Sequence, residues 1–210
     1  MRTQKLVVAT VWMVAAASGF GQSRPAADLR VSVYMDYQAN GDLEAASLAK
    51  VIAYRMFRRI GVTLIWMDSR SCPAGGIHIT LADHAPDTLQ RGALAYALPY
   101  GGTHIRVFRD RIDGASQPAL VPHLLAHVLV HEIIHILQGC TWHSDRGVMK
   151  VRWNGADFAQ MLWSELPIAQ EDIDLVRAGI EKRARLAAAY TNQDSVAGNP
   201  APTFVAPFEP

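Results

Sequence analysis

The sequence predicts one α+β domain: a small mixed sheet packed against helices, with a central buried helix and a C-terminal helix. Three observations carry this. Short runs of strand length, alternating or wholly apolar, fill the first half of the chain. Two segments repeat their apolar residues at helical spacing. Residues 122–138, lastly, are apolar nearly all round, the pattern of a helix enclosed by other elements. A length of 210 residues, half of them hydrophobic, suits a single core.

Arg2 and Lys5 precede an apolar run from Leu6 to Ala17, followed by small residues at Ser18 to Gly21. This predicts a secretory signal peptide over residues 1–21, cut near Gly19 or Gly21. A retained membrane anchor is the alternative, but the run is shorter than the roughly 20 apolar residues of a spanning helix. No second run is expected to span, because four histidines and a glutamate interrupt residues 122–138. The expected mature domain, residues 22–190, is therefore soluble and secreted or periplasmic, without a stable membrane anchor.

Leu29, Val31, Val33 and Met35 alternate with Arg30, Ser32, Tyr34 and Asp36, the period of a half-buried strand. Asp42 then precedes a helix with Leu48, Val51, Ile52, Met56 and Ile60 on one face, stopped by Gly61. Residues 62–68 and 77–82 read as two further strands. Residues 93–99 and 104–110 read as strand segments flanking a bend at Tyr100-Gly101-Gly102. The apolar helix starts near Pro122, tolerated in a first turn, and ends at Gly139. After an irregular stretch, Ile173, Val176 and Ile180 mark the C-terminal helix, and the Pro-rich residues 191–210 read as a disordered tail. No internal repeat is present.

Composition excludes little beyond strongly charged partners. The formal charge is +1, with no basic arm or acidic tail, so nothing electrostatic points to nucleic acid or an acidic membrane surface. Cys72 and Cys140 allow one disulfide in an exported chain, or two unpaired thiols.

The chemistry concentrates between His131 and Met149, "HEIIHILQGCTWHSDRGVM". Residues four apart on a helix stand one above the other, so His131 and His135 can share one metal ion, with Glu132 on the next ridge. Zinc accepts imidazole ligands, and a catalytic site needs three protein groups and an open position. His123, His127, His131 and His135 form an i, i+4 ladder, but each step advances about 40° around the helix, so all four cannot face one ion. Only the last pair has a glutamate directly after its first histidine and a helix stop followed by another histidine. His127 is read as a supporting or packing residue and His123 as a surface residue at the helix start. Gly139 can turn the chain back, making His143 the expected third ligand; Asp145, Glu165 and Glu171 remain alternatives.

The segment resembles the metzincin zinc endopeptidases, whose HExxHxxGxxH motif is followed by a methionine turn beneath the metal. Here it reads HExxHxxxGxxxH, one residue longer on each side of the glycine, with Met149 close behind. Ser144 after His143 is similar to matrix-metalloproteinase-like members, as more loosely is the stretch from Gly92 to Asp110. Small secreted bacterial proteins with HExxHxLxGxxxHSxxGxM are similar too. The resemblance implies a zincin-like fold and zinc held by His131, His135 and His143. It further implies a methionine turn at Met149, although a methionine there can also be core filler, as can Trp153, the candidate pocket wall. No tyrosine directly follows Met149, and no thiol-switch propeptide is recognisable. The implied activity is peptide-bond hydrolysis with Glu132 as general base and a peptide laid along an edge strand near 93–98. Two other readings stand beside it: an exported zinc-binding domain without catalysis, and histidines that bind no metal.

Overall fold

The computed structural model describes residues 29–37, 43–67, 75–98 and 102–197. The expected signal peptide, Asp42, Cys72, most of the bend at 100–102 and residues 198–210 lie outside the described residues. The elements run β1 (Leu29–Tyr37), α1 (Leu43–Arg59), β2 (Val62–Met67), β3 (Ile77–Ala82), β4 (Ala95–Ala97), β5 (His104–Phe108) and α2 (Arg109–Ala115). Then follow α3 (Val121–Gln138), α4 (Gly155–Met161) and α5 (Gln170–Ala197), with 3-10 turns at Pro118–Leu120 and Gly147–Met149.

The expected α+β architecture is present. The five strands form one mixed sheet in the order β2-β1-β3-β5-β4. The first four are parallel to one another, and β4 runs antiparallel to β5 at the edge, pairing Ala95 with Val107 and Ala97 with Ile105. Parallel neighbours need a crossover, and α1 supplies it between β1 and β2. The alternation expected in β1 holds: Val31, Val33 and Met35 are buried with Ile77, Ile79, Ile105 and Val107, while the opposite face stays partly exposed.

Three expectations about strands and helices need correction. In α1, Ile52 and Met56 are buried as expected, as is Ile60 just beyond its end, but Leu48 and Val51 are exposed. The buried stripe instead takes in Phe57 and the small residues Ala45, Ala46, Ala49 and Ala53, and the alanines let α1 come close to its neighbours. The strand expected to run to residue 110 ends at Phe108, where α2 begins. The one expected over 93–99 shortens to three residues.

The central helix α3 is where the sequence places it, with Pro122 in its first turn. Gly139 closes it in the left-handed region, φ 69°, its N–H donating to His135 O at 3.0 Å. By length and hydropathy alone, Pro118–Gln138 is apolar enough to cross a membrane, contrary to expectation, and most of that stretch is buried inside the fold. It is apolar because α1, α5 and the sheet enclose it. The backbone of α5 comes close to α3 at Gly179, where a Cβ would lie 1.8 Å from the carbonyl oxygen of Leu137. Val176 is fully buried there, and α5 continues to Ala197, past the expected domain end at residue 190.

Candidate metal centre

The helical ladder of α3 divides as its geometry requires. His123 is half-buried, and its carbonyl oxygen accepts from His127 Nδ1 at 2.7 Å. His127, fully buried, accepts the Leu166 N–H at Nε2 at 2.9 Å, so both its ring nitrogens are used inside the protein. That pattern fixes a neutral ring, and burial pushes its pKa down. His127 thus supports the fold rather than facing the site, as its place in the ladder suggested.

One turn further, His131 and His135 turn toward each other and toward His143. His135 Nε2 lies 3.1 Å from His131 Nε2 and 3.2 Å from His143 Nε2. One nitrogen from each ring lies within 4.8 Å of the other two, a group that could hold a metal ion. A tetrahedral ion with metal–nitrogen bonds of about 2.0–2.1 Å spaces its ligands about 3.3 Å apart, so the donor set fits such an ion. The other ring nitrogens are occupied: His131 Nδ1 bonds the Val148 carbonyl at 2.9 Å and His135 Nδ1 the Cys140 carbonyl at 3.1 Å. With Nδ1 donating its proton to a carbonyl, each ring keeps its Nε2 lone pair for the shared centre.

Burial dominates the electrostatics. It drives the His131 pKa down to about 3 and that of His135 to about 4, helped by the neighbouring imidazoles and opposed by the Nδ1 bonds to carbonyls. Neutral imidazole is the form a metal requires. Glu132 is almost wholly buried, and the loss of water around its carboxylate lifts its pKa to about 7. It lines, with the three histidines, an open cleft of about 960 Å³.

The loop that returns His143 is anchored, through Ser144 and Gln138, on Asp172, which the sequence did not single out. Ser144 Oγ donates to Asp172 Oδ2 at 2.6 Å, and Gln138 Nε2 donates to Asp172 Oδ1 at 3.2 Å. Asp172 is 0% exposed and sits in the first turn of α5. After the loop, Val148 turns its N–H to Pro167 O at 2.9 Å while its carbonyl accepts from both His131 Nδ1 and Trp153 Nε1, the latter at 3.2 Å. The Trp153 ring meets His131 edge-on, centroids 5.9 Å apart, and lines the cleft. Met149, 0% exposed, lies in the same 3-10 turn among core residues.

The alternative third ligands point elsewhere. Glu165 pairs with Arg55 and Arg59 at 2.6 and 2.8 Å, Glu171 pairs with Arg146 at 3.1 Å, and Asp145 is exposed. Cys140 is a free thiol, 3.8 Å from Gln138 Oε1, and its expected partner Cys72 lies outside the described residues.

The cleft's other wall is the segment leading into β4. Arg111 of α2 holds it, donating to the carbonyl oxygens of Gln90 at 2.7 Å, Ala93 at 2.8 Å and Leu89 at 3.4 Å. Ala95 and Ala97 of β4 line the cleft beside the histidines, placing the sheet edge where the sequence anticipated it. Of the missed residues, Arg111 and Asp172 carry no local signal. The α4 helix did carry one: Asn154 and Asp157 form a reciprocal capping box, legible as N-x-x-D.

Sheet order, central helix and histidine cluster together define a zincin-like fold. No family model and no curated protein sequence matches the chain. Among solved structures the chain is similar to archaemetzincin from Methanopyrus kandleri, with a TM-score of 0.51 and 12% sequence identity. The match covers 76% of this chain and 99% of that one, and at this identity the likeness is one of fold.

Proposed function

We propose that the chain is an exported zinc-dependent endopeptidase. The observation that carries this is the convergence of His131, His135 and His143 beside Glu132 in an open cleft bordered by a sheet edge. The likeness to archaemetzincin, whose name places it among the metzincins, supports the same reading through the fold. Zinc is favoured by the all-imidazole donor set, and Ser144 directly after His143 favours a matrix-metalloproteinase-like arrangement. Export rests on the pattern of residues 1–21.

In this reading the three histidines hold the ion through Nε2, with Nδ1 of His131 and His135 kept in place by the Val148 and Cys140 carbonyls. A bound zinc ion would supply Lewis acidity to a peptide carbonyl and lower the pKa of water to about 7. Glu132 takes a proton at its carboxylate and returns it to the leaving amine. The backbone of β4 offers an extended peptide strand-to-strand hydrogen bonds. The second reading, an exported zinc-binding domain without catalysis, is less favoured because a buried carboxylate beside the ligands is costly unless it is used.

The test is metal content per chain in the purified protein and in His143→Ala, followed by peptide cleavage by the wild type and Glu132→Ala. About one zinc, lost in His143→Ala, with cleavage abolished in Glu132→Ala, is the expected result. Zinc bound without cleavage of any peptide would leave the binding-domain reading. No metal in either protein would remove both.

A further inference from the structure

The cleft differs in charge from the protein around it. The chain as a whole carries a formal +1. The charged side chains lining the cleft are Arg91, Arg111, Lys150 and Arg152 against the single carboxylate of Glu132. Lys150 is neutralised by Asp157 at 2.5 Å. Arg111 is satisfied by backbone carbonyls, which leave its charge uncompensated. Arg91 and Arg152 are exposed and have no carboxylate partner among the described residues. Arg91 comes from the segment leading into β4 and Arg152 from the segment after the Gly147–Met149 turn, so the two walls each contribute one cation. A concave surface lined by one sign of charge focuses its field on the bound ligand.

We infer that the cleft selects peptides bearing acidic side chains on either side of the bound segment, with Arg91 and Arg152 as the specificity-determining residues. This rests on the cleft being a peptide site. Neither arginine touches the histidine cluster or Glu132 in any hydrogen bond or ion pair of the described residues, so their role is recognition and not chemistry. Both are solvent-exposed, so each contact with a carboxylate is modest, a few-fold in affinity, and sensitive to salt.

The experiment uses the zinc-loaded Glu132→Gln protein and two fluorescent decapeptides of identical apolar centre, one flanked by glutamates and the other by glutamines. Binding is read by anisotropy, beside the same measurement in a protein that also carries Arg91→Gln and Arg152→Gln. The expected result is tighter binding of the glutamate peptide, about fivefold at low ionic strength. That preference should shrink toward parity in the double-arginine variant and in about 0.5 M salt. Any pull of the metal on glutamate is common to both proteins, so only the difference between them reports the arginines. Equal binding of the two peptides, or a preference that survives loss of both arginines, would overturn this inference while leaving the peptidase reading intact. Failure of both peptides to bind a protein that holds its metal would overturn this inference and the peptidase reading together.

Discussion

Val148 contributes no side chain to the centre, yet its carbonyl oxygen accepts from His131 and Trp153 and so sets both rings. Asp172 acts from further away, holding Ser144 and Gln138 on either side of the loop that carries His143. Asp172→Ala removes the acceptor of Gln138 Nε2 and leaves Ser144 Oγ only the Arg146 carbonyl at 3.1 Å, a loss of about 1–3 kcal/mol. Metal affinity should fall about tenfold, the low end for loss of an outer partner, since the ligand itself remains. Urea unfolding and competition with a chromophoric chelator measure the two effects. Glu132 makes a prediction of opposite kind. Its folded pKa is raised to about 7 from 4.5, so in the metal-free protein its contribution is present below pH 4.5 and lost as pH rises through about 7. His131 and His135 have depressed values, so their contribution is present above pH 6.5 and lost as pH falls toward about 4 and 3. In chelator, the melting temperature of Glu132→Gln relative to wild type should therefore climb between pH 4.5 and 7. A flat difference across that range would show that Glu132 is not desolvated as described.

At the scale of elements, the turn after His143 depends on one glycine for two reasons. Gly147 has φ +69°, and a Cβ there would lie 2.1 Å from the Pro167 carbonyl oxygen that receives the Val148 N–H. Gly61, at the end of α1, has φ +80° but open space around it. Gly61→Ala should cost about 1 kcal/mol, the left-handed penalty alone. Gly147→Ala should cost at least about 3 kcal/mol, because strain and a backbone clash add, and it should weaken metal binding by displacing the Val148 carbonyl. Similar losses of stability in the two variants would mean that the turn yields more readily than its contacts imply. The helix α3 teaches a related lesson about elements. Its sequence alone is apolar enough for a membrane; its enclosure by α1, α5 and the sheet makes it a core helix instead.

For the whole molecule, the centre ties together parts of the chain that are far apart in sequence. The histidines come from α3 and the loop after it, the loop is anchored on α5, and the facing wall is β4, held by α2. A metal bound there selects the folded state, so zinc should raise the unfolding free energy by about RT ln(1 + [L]/Kd), near 4 kcal/mol at a thousandfold excess over Kd. A chelator titration followed by calorimetry checks this. The stabilisation should be absent in His143→Ala, whose melting temperature should not respond to zinc. An equal response in both proteins would place the ion elsewhere.

What the sequence determined by itself is whatever depends on neighbours within a few turns. The five strands and the helices α1, α3 and α5 follow from local periodicity, while the short α2 and α4 were not anticipated, and the pairing of His131 with His135 and the flanking Glu132 follows from helical geometry. Gly139 as the stop follows from its conformational freedom. Even locally, the stripe of α1 was misplaced, because its apolar Leu48 and Val51 look inward-facing until the alanines prove to be the contact surface. The reach of His143 was an expectation among alternatives, since a loop of this length has many paths. Only the packed structure, with Asp172 behind Ser144 and the Glu165 and Glu171 carboxylates already taken by arginines, brings that histidine to the other two. The cationic cleft was also hidden, because Arg91, Arg111 and Arg152 are scattered through a chain of nearly balanced charge. Periodicity is a property of one element, whereas a site is a meeting of several, and the distances between them are set by how the core packs.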